Sequence, residues 1–72
     1  MSNKTVFYEL FIHFSDENDK LLYVGTDRKL AQDYVSRLEK AEAEEGLSPL
    51  SFSLKEIITV SGVVIRDKYI DI

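Results

Sequence analysis

The chain begins with a strict alternation of two sets of side chains from Thr5 to Ser15. An alternation of period two, rich in β-branched and aromatic residues, predicts a β-strand. One set is wholly apolar: Val6, Tyr8, Leu10, Ile12 and Phe14. The other set is half apolar: Phe7, Glu9, Phe11 and His13. Because both faces carry apolar side chains, we expect this strand to lie in the centre of a sheet.

A polar turn follows, and a second strand returns from it. The turn, Ser15 to Lys20, contains Asp and Asn side chains that hydrogen-bond their own backbone and tolerate left-handed geometry. Leu21 to Val24 has the composition of a short strand, and Gly25 ends it. The first third of the chain is therefore predicted to form a hairpin.

The middle of the chain has helical periodicity. Thr26 or Asp27 is the predicted N-cap, because a side-chain oxygen there accepts hydrogen bonds from amides of the first turn. Gly46 suits the left-handed terminator, and Pro49 prevents the helix from continuing. We expect a helix from about residue 27 to residue 45. Its apolar stripe would contain Leu30, Ala31, Tyr34, Val35, Leu38 and Ala41.

A second hairpin is predicted after the helix. Apolar and polar residues alternate from Leu50 to Leu54, and the pattern resumes at Ile57, so we expect a β-bulge near Glu56. Ser61-Gly62 is a tight-turn dipeptide between β-branched residues. The fourth strand should then run from Val63 to about Ile72.

The elements together predict one α+β domain of ββαββ order, with a four-stranded, antiparallel-rich sheet and one helix packed on one face. Arrangements of this kind include the β-grasp order, in which the first and last strands lie parallel in the centre. The chain has 72 residues, which is room for a single core. It has no cysteine and one histidine, so neither disulfides nor a structural zinc can stabilise it.

Charge and composition exclude several classes of partner. The formal net charge of −4 argues against direct nucleic-acid binding and against docking on anionic lipid. The N-terminal residues Met1 to Lys4 lack the apolar run of a signal peptide, and no stretch is apolar enough to span a membrane. We therefore expect a cytoplasmic protein.

The sequence offers no recognisable catalytic, cofactor or metal constellation. His13 is the single histidine, and a lone strand histidine is typical of a surface or interface position. Asp16 to Asp19 lack the alternate spacing, the glycine and the later glutamate of a calcium loop. The three glycines are isolated at element boundaries, so none forms a phosphate-binding loop. We expect a protein that is not an enzyme and that uses no cofactor.

The C-terminal end of the helix is unusually acidic, with Glu39, Glu42, Glu44 and Glu45 near the negative end of the helix dipole. Glu42 and Glu45 would also rotate into the apolar stripe after Ala41. We therefore expect core contact to stop near Ala41 and the last turn to overhang the sheet. Such a cluster either docks a basic partner or is a solvated, fraying helix end.

The sheet has more apolar side chains than one helix can cover. Phe7, Phe11 and Ile57 should face away from the helix, together with one set from the fourth strand: Val63, Ile65 and Tyr69, or Val64, Ile70 and Ile72. Exposed apolar patches larger than about a few hundred Å² mark association surfaces. A homodimer would bury the face; alternatively, the C-terminal tail covers it.

One segment carries a resemblance. The run from Tyr23 to Ala31, continuing to Tyr34-Val35 and Leu38, resembles a pattern found in small uncharacterised bacterial and phage proteins. In those proteins a strand ends in a glycine-containing turn, a helix follows, and a strand similar to Phe52–Glu56 comes next. The resemblance implies this element order and brings no activity, cofactor or functional residue.

Two functions remain as hypotheses. The first is a small protein-interaction or regulatory module that acts through its apolar sheet face, as a homodimer or with a protein partner. The second is an acidic inhibitor or nucleic-acid mimic of the kind that phages and mobile elements encode. The second requires the helix-end carboxylates to converge with Asp16, Glu17 and Asp19 on one face.

Overall fold

The computed structural model describes residues 3–13, 18–46 and 51–72 of the chain. Its elements are β1 (Lys4–His13), β2 (Lys20–Gly25), α1 (Arg28–Glu45), β3 (Ser51–Val60) and β4 (Val63–Ile70). The strands form one sheet in the order β2-β1-β3-β4, and every neighbouring pair is antiparallel. The predicted α+β fold of ββαββ order is confirmed. Of the predicted features, Phe14, Leu50, Pro49 and the turn residues 15–17 lie outside the described residues.

The first strand is central, as its two apolar faces predicted, because β1 pairs with β2 on one side and with β3 on the other. The β-grasp order does not occur. In that order β4 would lie beside β1, whereas here it is an edge strand paired with β3. The two-residue turn at Ser61-Gly62, where both residues have positive φ angles of 50° and 81°, joins β3 to β4 in either order. The central place goes to β3 because it buries Leu54 on one face and Ile57 on the other, whereas β4 carries three consecutive charged residues after Ile65 and is exposed up to Tyr69, as suits an edge strand.

The predicted bulge near Glu56 is wrong. The β1–β3 ladder is regular from His13 opposite Ser51 to Lys4 opposite Val60. The sheet is irregular in its two outer ladders instead, since both edge strands carry an extra residue. Leu22 is inserted in β2, and Ile65 is inserted in β4. A bulge in an edge strand leaves the central ladder intact, so the uninterrupted β3 keeps its alternation through Glu56.

The helix ends where its capping residues predicted. Asp27 is the N-cap, and its Oδ1 accepts a hydrogen bond of 3.2 Å from the Leu30 amide. The Asp27 amide donates to the Tyr23 hydroxyl at 3.2 Å, which ties the start of α1 to β2. At the other end Gly46 adopts φ 70°, and its amide donates to the Ala43 carbonyl at 3.4 Å.

The core lies between α1 and the two central strands. Leu10 of β1 and Leu54 of β3 are directly opposite each other and fully buried, and Ala31 and Val35 of α1 cover them. Half-buried side chains surround this cluster: Tyr8, Leu22, Tyr23, Phe52 and Ile70.

The buried stripe of α1 continues past the point where we expected it to stop. Glu42 is only 8% exposed, whereas Ala41 is exposed. At about 100° per residue, Ala31, Val35, Leu38 and Glu42 share one side of the helix, while Ala41 is turned away from it. The prediction that core contact ends near Ala41 and that the last turn overhangs the sheet is therefore wrong at Glu42.

Candidate functional site

The sheet has one face covered by α1 and one face without a helix, which we call the open face. Alternation along a strand places Tyr8, Leu10 and Leu54 beneath α1. The odd-numbered residues of β1 and β3 therefore line the open face. These residues include Phe7, Phe11, His13, Ser53, Lys55 and Ile57.

Three side chains on the open face form a hydrogen-bonded series. His13 Nδ1 lies 2.8 Å from Asp19 Oδ1, and His13 Nε2 lies 2.5 Å from Ser53 Oγ. We call Asp19, His13 and Ser53 the open-face relay. Its histidine side chain is 30% exposed and its aspartate side chain is 55% exposed, so solvent reaches the site.

The strand register brings these residues together. His13 is opposite Ser51 and Phe11 is opposite Ser53, so Ser53 is one diagonal step from His13 on the same face. Asp19 directly precedes β2, whose first residue, Lys20, pairs with Ile12 of β1. Two central strands and the start of an edge strand thus position the relay, and none of its members belongs to the helix.

The chemistry of the partners sets the proton positions in the relay. A carboxylate only accepts hydrogen bonds, so when the imidazole is neutral its contact with Asp19 requires the proton on Nδ1. Its Nε2 then accepts from the Ser53 hydroxyl. This order of acid, imidazole and hydroxyl is the one in which a serine is activated as a nucleophile.

The relay is not predicted by the sequence. His13 and Ser53 are separated by 40 positions, and the residues around Asp19 predict only a polar turn. The available signal was the alternation, which placed His13 on the face away from the apolar set and Ser53 among the polar residues of the third strand. Only the β1–β3 register, which the alternation leaves open, makes them neighbours.

A second polar contact on the open face joins β3 to the edge strand. Lys55 Nζ lies 3.1 Å from Asp67 Oδ1 and 5.5 Å from the centre of the Tyr69 ring. The hydrogen bond to Asp67 is the main cause that raises the pKa of Lys55 above its usual value, and partial burial opposes the rise. Lys55 therefore stays charged and links the two strands.

The predicted apolar positions Phe7, Phe11 and Ile57 all lie on the open face, but they are not its most exposed side chains. Phe7 and Phe11 are half-buried, and Ile57 is 6% exposed. Ile57 is paired with Phe7 of β1 on one side and with Asp67 of β4 on the other, and it is buried although it lies on the face without the helix. The larger exposed apolar side chains of the fourth strand are Val63, Val64, Ile65 and Tyr69, with Ile72 beyond its end.

The acidic residues of the helix end do not all face solvent. Glu39, Glu44 and Glu45 are exposed, whereas Glu42 is buried. Asp19 is on the opposite side of the sheet, in the open-face relay. The described carboxylates therefore lie on two sides of the sheet, so no observation favours the nucleic-acid mimic over the interaction module.

Neither a metal cluster nor a membrane-spanning helix occurs in the part of the chain that the structure describes. Across residues 3–13, 18–46 and 51–72, no group of three or more histidine or acidic side chains is placed to hold a metal ion. Over the same ranges, no helix has both the length and the apolar character needed to cross a lipid bilayer.

The chain is a small α+β domain with one antiparallel sheet. The helix packs on one face of this sheet, and the β3–β4 hairpin at one edge carries exposed apolar side chains. Comparison with protein families, with curated proteins and with solved structures finds no match to this chain. The open face and the exposed apolar side chains of the β3–β4 hairpin are therefore the observations that bear on function.

Proposed function

We propose that this protein is a small, non-enzymatic interaction module that associates with a second copy of itself through its edge hairpin. We call residues Ile57 to Arg66 the hairpin arm. The observation that carries the proposal is the exposure of three consecutive aliphatic side chains in this arm. Val63, Val64 and Ile65 are 64%, 55% and 61% exposed.

The hairpin arm differs in composition from the rest of the chain. Six of its ten residues are aliphatic, and Arg66 at its end is its first charged residue. In the whole chain, by contrast, 31% of residues are charged. Edge strands of monomeric proteins usually carry charges or proline that discourage pairing with other chains. The uncharged part of this arm has neither.

The helix does not protect the arm. The core cluster and the half-buried side chains around it include Phe52, Leu54 and Ile70, and no member from 57 to 66. The β3–β4 turn therefore extends past the covered part of the sheet. Val63 to Ile65 are apolar surface that the fold of one chain leaves uncovered.

The surface area of the chain supports a second copy as the occupant. Its accessible surface is 5298 Å². A monomeric protein of this mass exposes about 4,600 Å², so the excess is about 700 Å². A specific interface of standard size buries about 800 Å² on each partner. The shape agrees, since the radius of gyration is 14.3 Å against about 11 Å for a compact domain of this length.

Charge also favours approach at the arm. Each copy carries a formal charge of −4, which opposes contact between most surfaces of two copies. The stretch from Ile57 to Ile65 is uncharged, so two arms meet there without placing like charges opposite each other. A two-fold arrangement presents the same patch from both copies, which is the commonest symmetry of homodimers.

Sedimentation equilibrium tests the proposal from micromolar to millimolar concentration. We expect the wild type to sediment as a dimer. We expect Ile65→Lys to sediment as a monomer, because it places two lysines at the interface. The matched control is Leu30→Lys, which changes an exposed leucine of α1 in the same way and should remain dimeric.

The outcomes are distinct. A wild type that remains a monomer at millimolar concentration would overturn self-association. A dimer that Ile65→Lys leaves intact and Leu30→Lys disrupts would place the interface on the helix side and overturn the role of the arm. Circular dichroism of each variant establishes that the changes act on association and not on folding.

A further inference from the structure

We propose that the open-face relay makes Ser53 an acyl acceptor, which reacts with activated esters of short apolar carboxylic acids. This reaction goes beyond the proposed association and does not depend on it. The relay and the residues beside it belong to the part of the sheet between β2 and β3, whereas the hairpin arm lies at the β3–β4 turn.

The geometry assigns a role to each member. His13 Nε2, 2.5 Å from Ser53 Oγ, is within reach to take the hydroxyl proton as a general base. Asp19, 2.8 Å from Nδ1, is a positioning residue that holds the ring orientation and favours the charge that His13 gains. Ser53 contacts the acyl donor directly and supplies the nucleophilic oxygen.

The reaction is a simple acyl transfer. Ser53 Oγ attacks the carbonyl carbon of the ester while its proton passes to His13 Nε2. A bond forms between Oγ and the carbonyl carbon, the bond from that carbon to the leaving oxygen breaks, and the proton passes on to the leaving group. The products are an ester of Ser53 and one molecule of alcohol or phenol, with no oxidant, metal or cofactor required.

The backbone around Ser53 limits the reaction to a single acylation of each chain. The Ser61 amide donates to the Asn3 carbonyl at 2.9 Å, and this pair continues the register of the regular β1–β3 ladder. Every second pair exchanges main-chain hydrogen bonds, so the Ser53 amide donates to Phe11. A nucleophile's own amide is a usual oxyanion donor, and losing one such donor costs about 100-fold to 1,000-fold in rate. Its absence slows both the acylation of Ser53 and the hydrolysis of acyl-Ser53. Acyl-Ser53 should accumulate from an activated ester, because the phenol leaves more readily than the Ser53 oxygen does.

Neighbouring side chains indicate the preferred acyl group. Phe11 is directly opposite Ser53, and Leu21 of β2 is directly opposite Phe11. The three residues form one row across the open face, and Leu21 is exposed. An aliphatic acyl chain bound to Ser53 would lie along this row, so a butyryl ester should react faster than an acetyl ester.

The test uses p-nitrophenyl butyrate with the full chain. We expect a burst of p-nitrophenol that approaches one equivalent per chain, and peptide mass mapping should locate the butyryl group on Ser53. Ser53→Ala should remove that adduct, and His13→Gln should slow its formation by about 100-fold or more. The matched control is Ser51→Ala. Ser51 lies on β3, like Ser53, and is directly opposite His13 of β1, and this variant should react like the wild type.

Asp19 is tested by its two conservative variants. Asp19→Asn removes the negative charge and should slow acylation, by less than His13→Gln does because the carboxylate is largely exposed. Asp19→Glu keeps the charge and should recover part of the rate, which loss of a purely structural contact would not predict. Thermal unfolding of every variant separates these effects from changes in fold.

Three results would overturn the proposal: acylation of Ser53 that is no faster than that of Ser51, butyryl groups found only on lysines or on His13, or equal rates in the wild type and His13→Gln. Ile65→Lys serves as a separate control. It should acylate normally, so failure of the dimer and failure of the relay are distinguishable.

Discussion

At the scale of single residues, the fold depends on very few side chains. Leu10 and Leu54 are the two largest fully buried side chains among the described residues, and they face each other across the central ladder. A buried leucine contributes both its transfer from water and its contacts with neighbours, and a small domain has little surplus stability to lose. These two positions should therefore dominate the response of the protein to substitution.

We predict that Leu54→Ala lowers the free energy of unfolding by about 2–5 kcal/mol, because it removes apolar volume from the core and leaves a cavity. Urea denaturation followed by circular dichroism measures the loss. Leu30→Ala is the control, since Leu30 is 41% exposed on α1 and its truncation leaves no closed cavity, so its effect should stay below about 1.5 kcal/mol. Equal losses in both variants would contradict the placement of the core.

At the scale of elements, the β3–β4 hairpin depends on its turn. Gly62 has φ 81° and Ser61 has φ 50°, so both residues are left-handed. The space around Gly62 is open, because a Cβ built there meets no atom within 4 Å. The requirement for glycine is therefore conformational and not steric.

We predict that Gly62→Ala destabilises the protein by about 1–2 kcal/mol, the cost of holding an L-residue in the left-handed region. Ser61→Asn should have the opposite sign, because asparagine tolerates this region better than serine does. Thermal unfolding of the two variants beside the wild type provides the measurement. A neutral Gly62→Ala would mean that the turn does not hold this conformation in solution.

Element identity could be predicted from the sequence, and the relations between elements only in part. Alternation predicted β1 and its covered face, and Asp27 and Gly46 predicted both ends of α1. The position of the bulges could not be predicted, because the alternation within one strand does not show where its partner strand carries an extra residue, such as Ile65 in β4. The relay escaped prediction for a similar reason: it depends on the register that places Ser53 diagonally from His13.

At the scale of the whole molecule, the chain is extended rather than spherical. Its dimensions are 51 × 24 × 16 Å, so the hairpin arm projects from a thin, two-layered body. Exposing apolar surface to water is unfavourable, and association of two copies would remove part of that surface from water. The free energy of unfolding should therefore depend on association as well as on the contacts within one chain.

We predict that the thermal midpoint of the wild type rises with protein concentration, because dimerisation stabilises the folded state by mass action. Scanning calorimetry over a hundredfold range of concentration measures the shift. Ile65→Lys should show a midpoint that does not depend on concentration. A concentration-independent wild type would contradict coupling between folding and association.

The strand order also has a consequence in time. Each hairpin, β1–β2 and β3–β4, joins strands that are close in sequence, whereas the central ladder joins His13 to Ser51 and Lys4 to Val60. Closing such long loops is slow, since chain entropy is lost before any contact is gained. The hairpins should therefore form first and the β1–β3 joint last. During that interval β1, which carries apolar side chains on both faces, is paired on one side only, and its second partner, β3, is synthesised after the whole of α1.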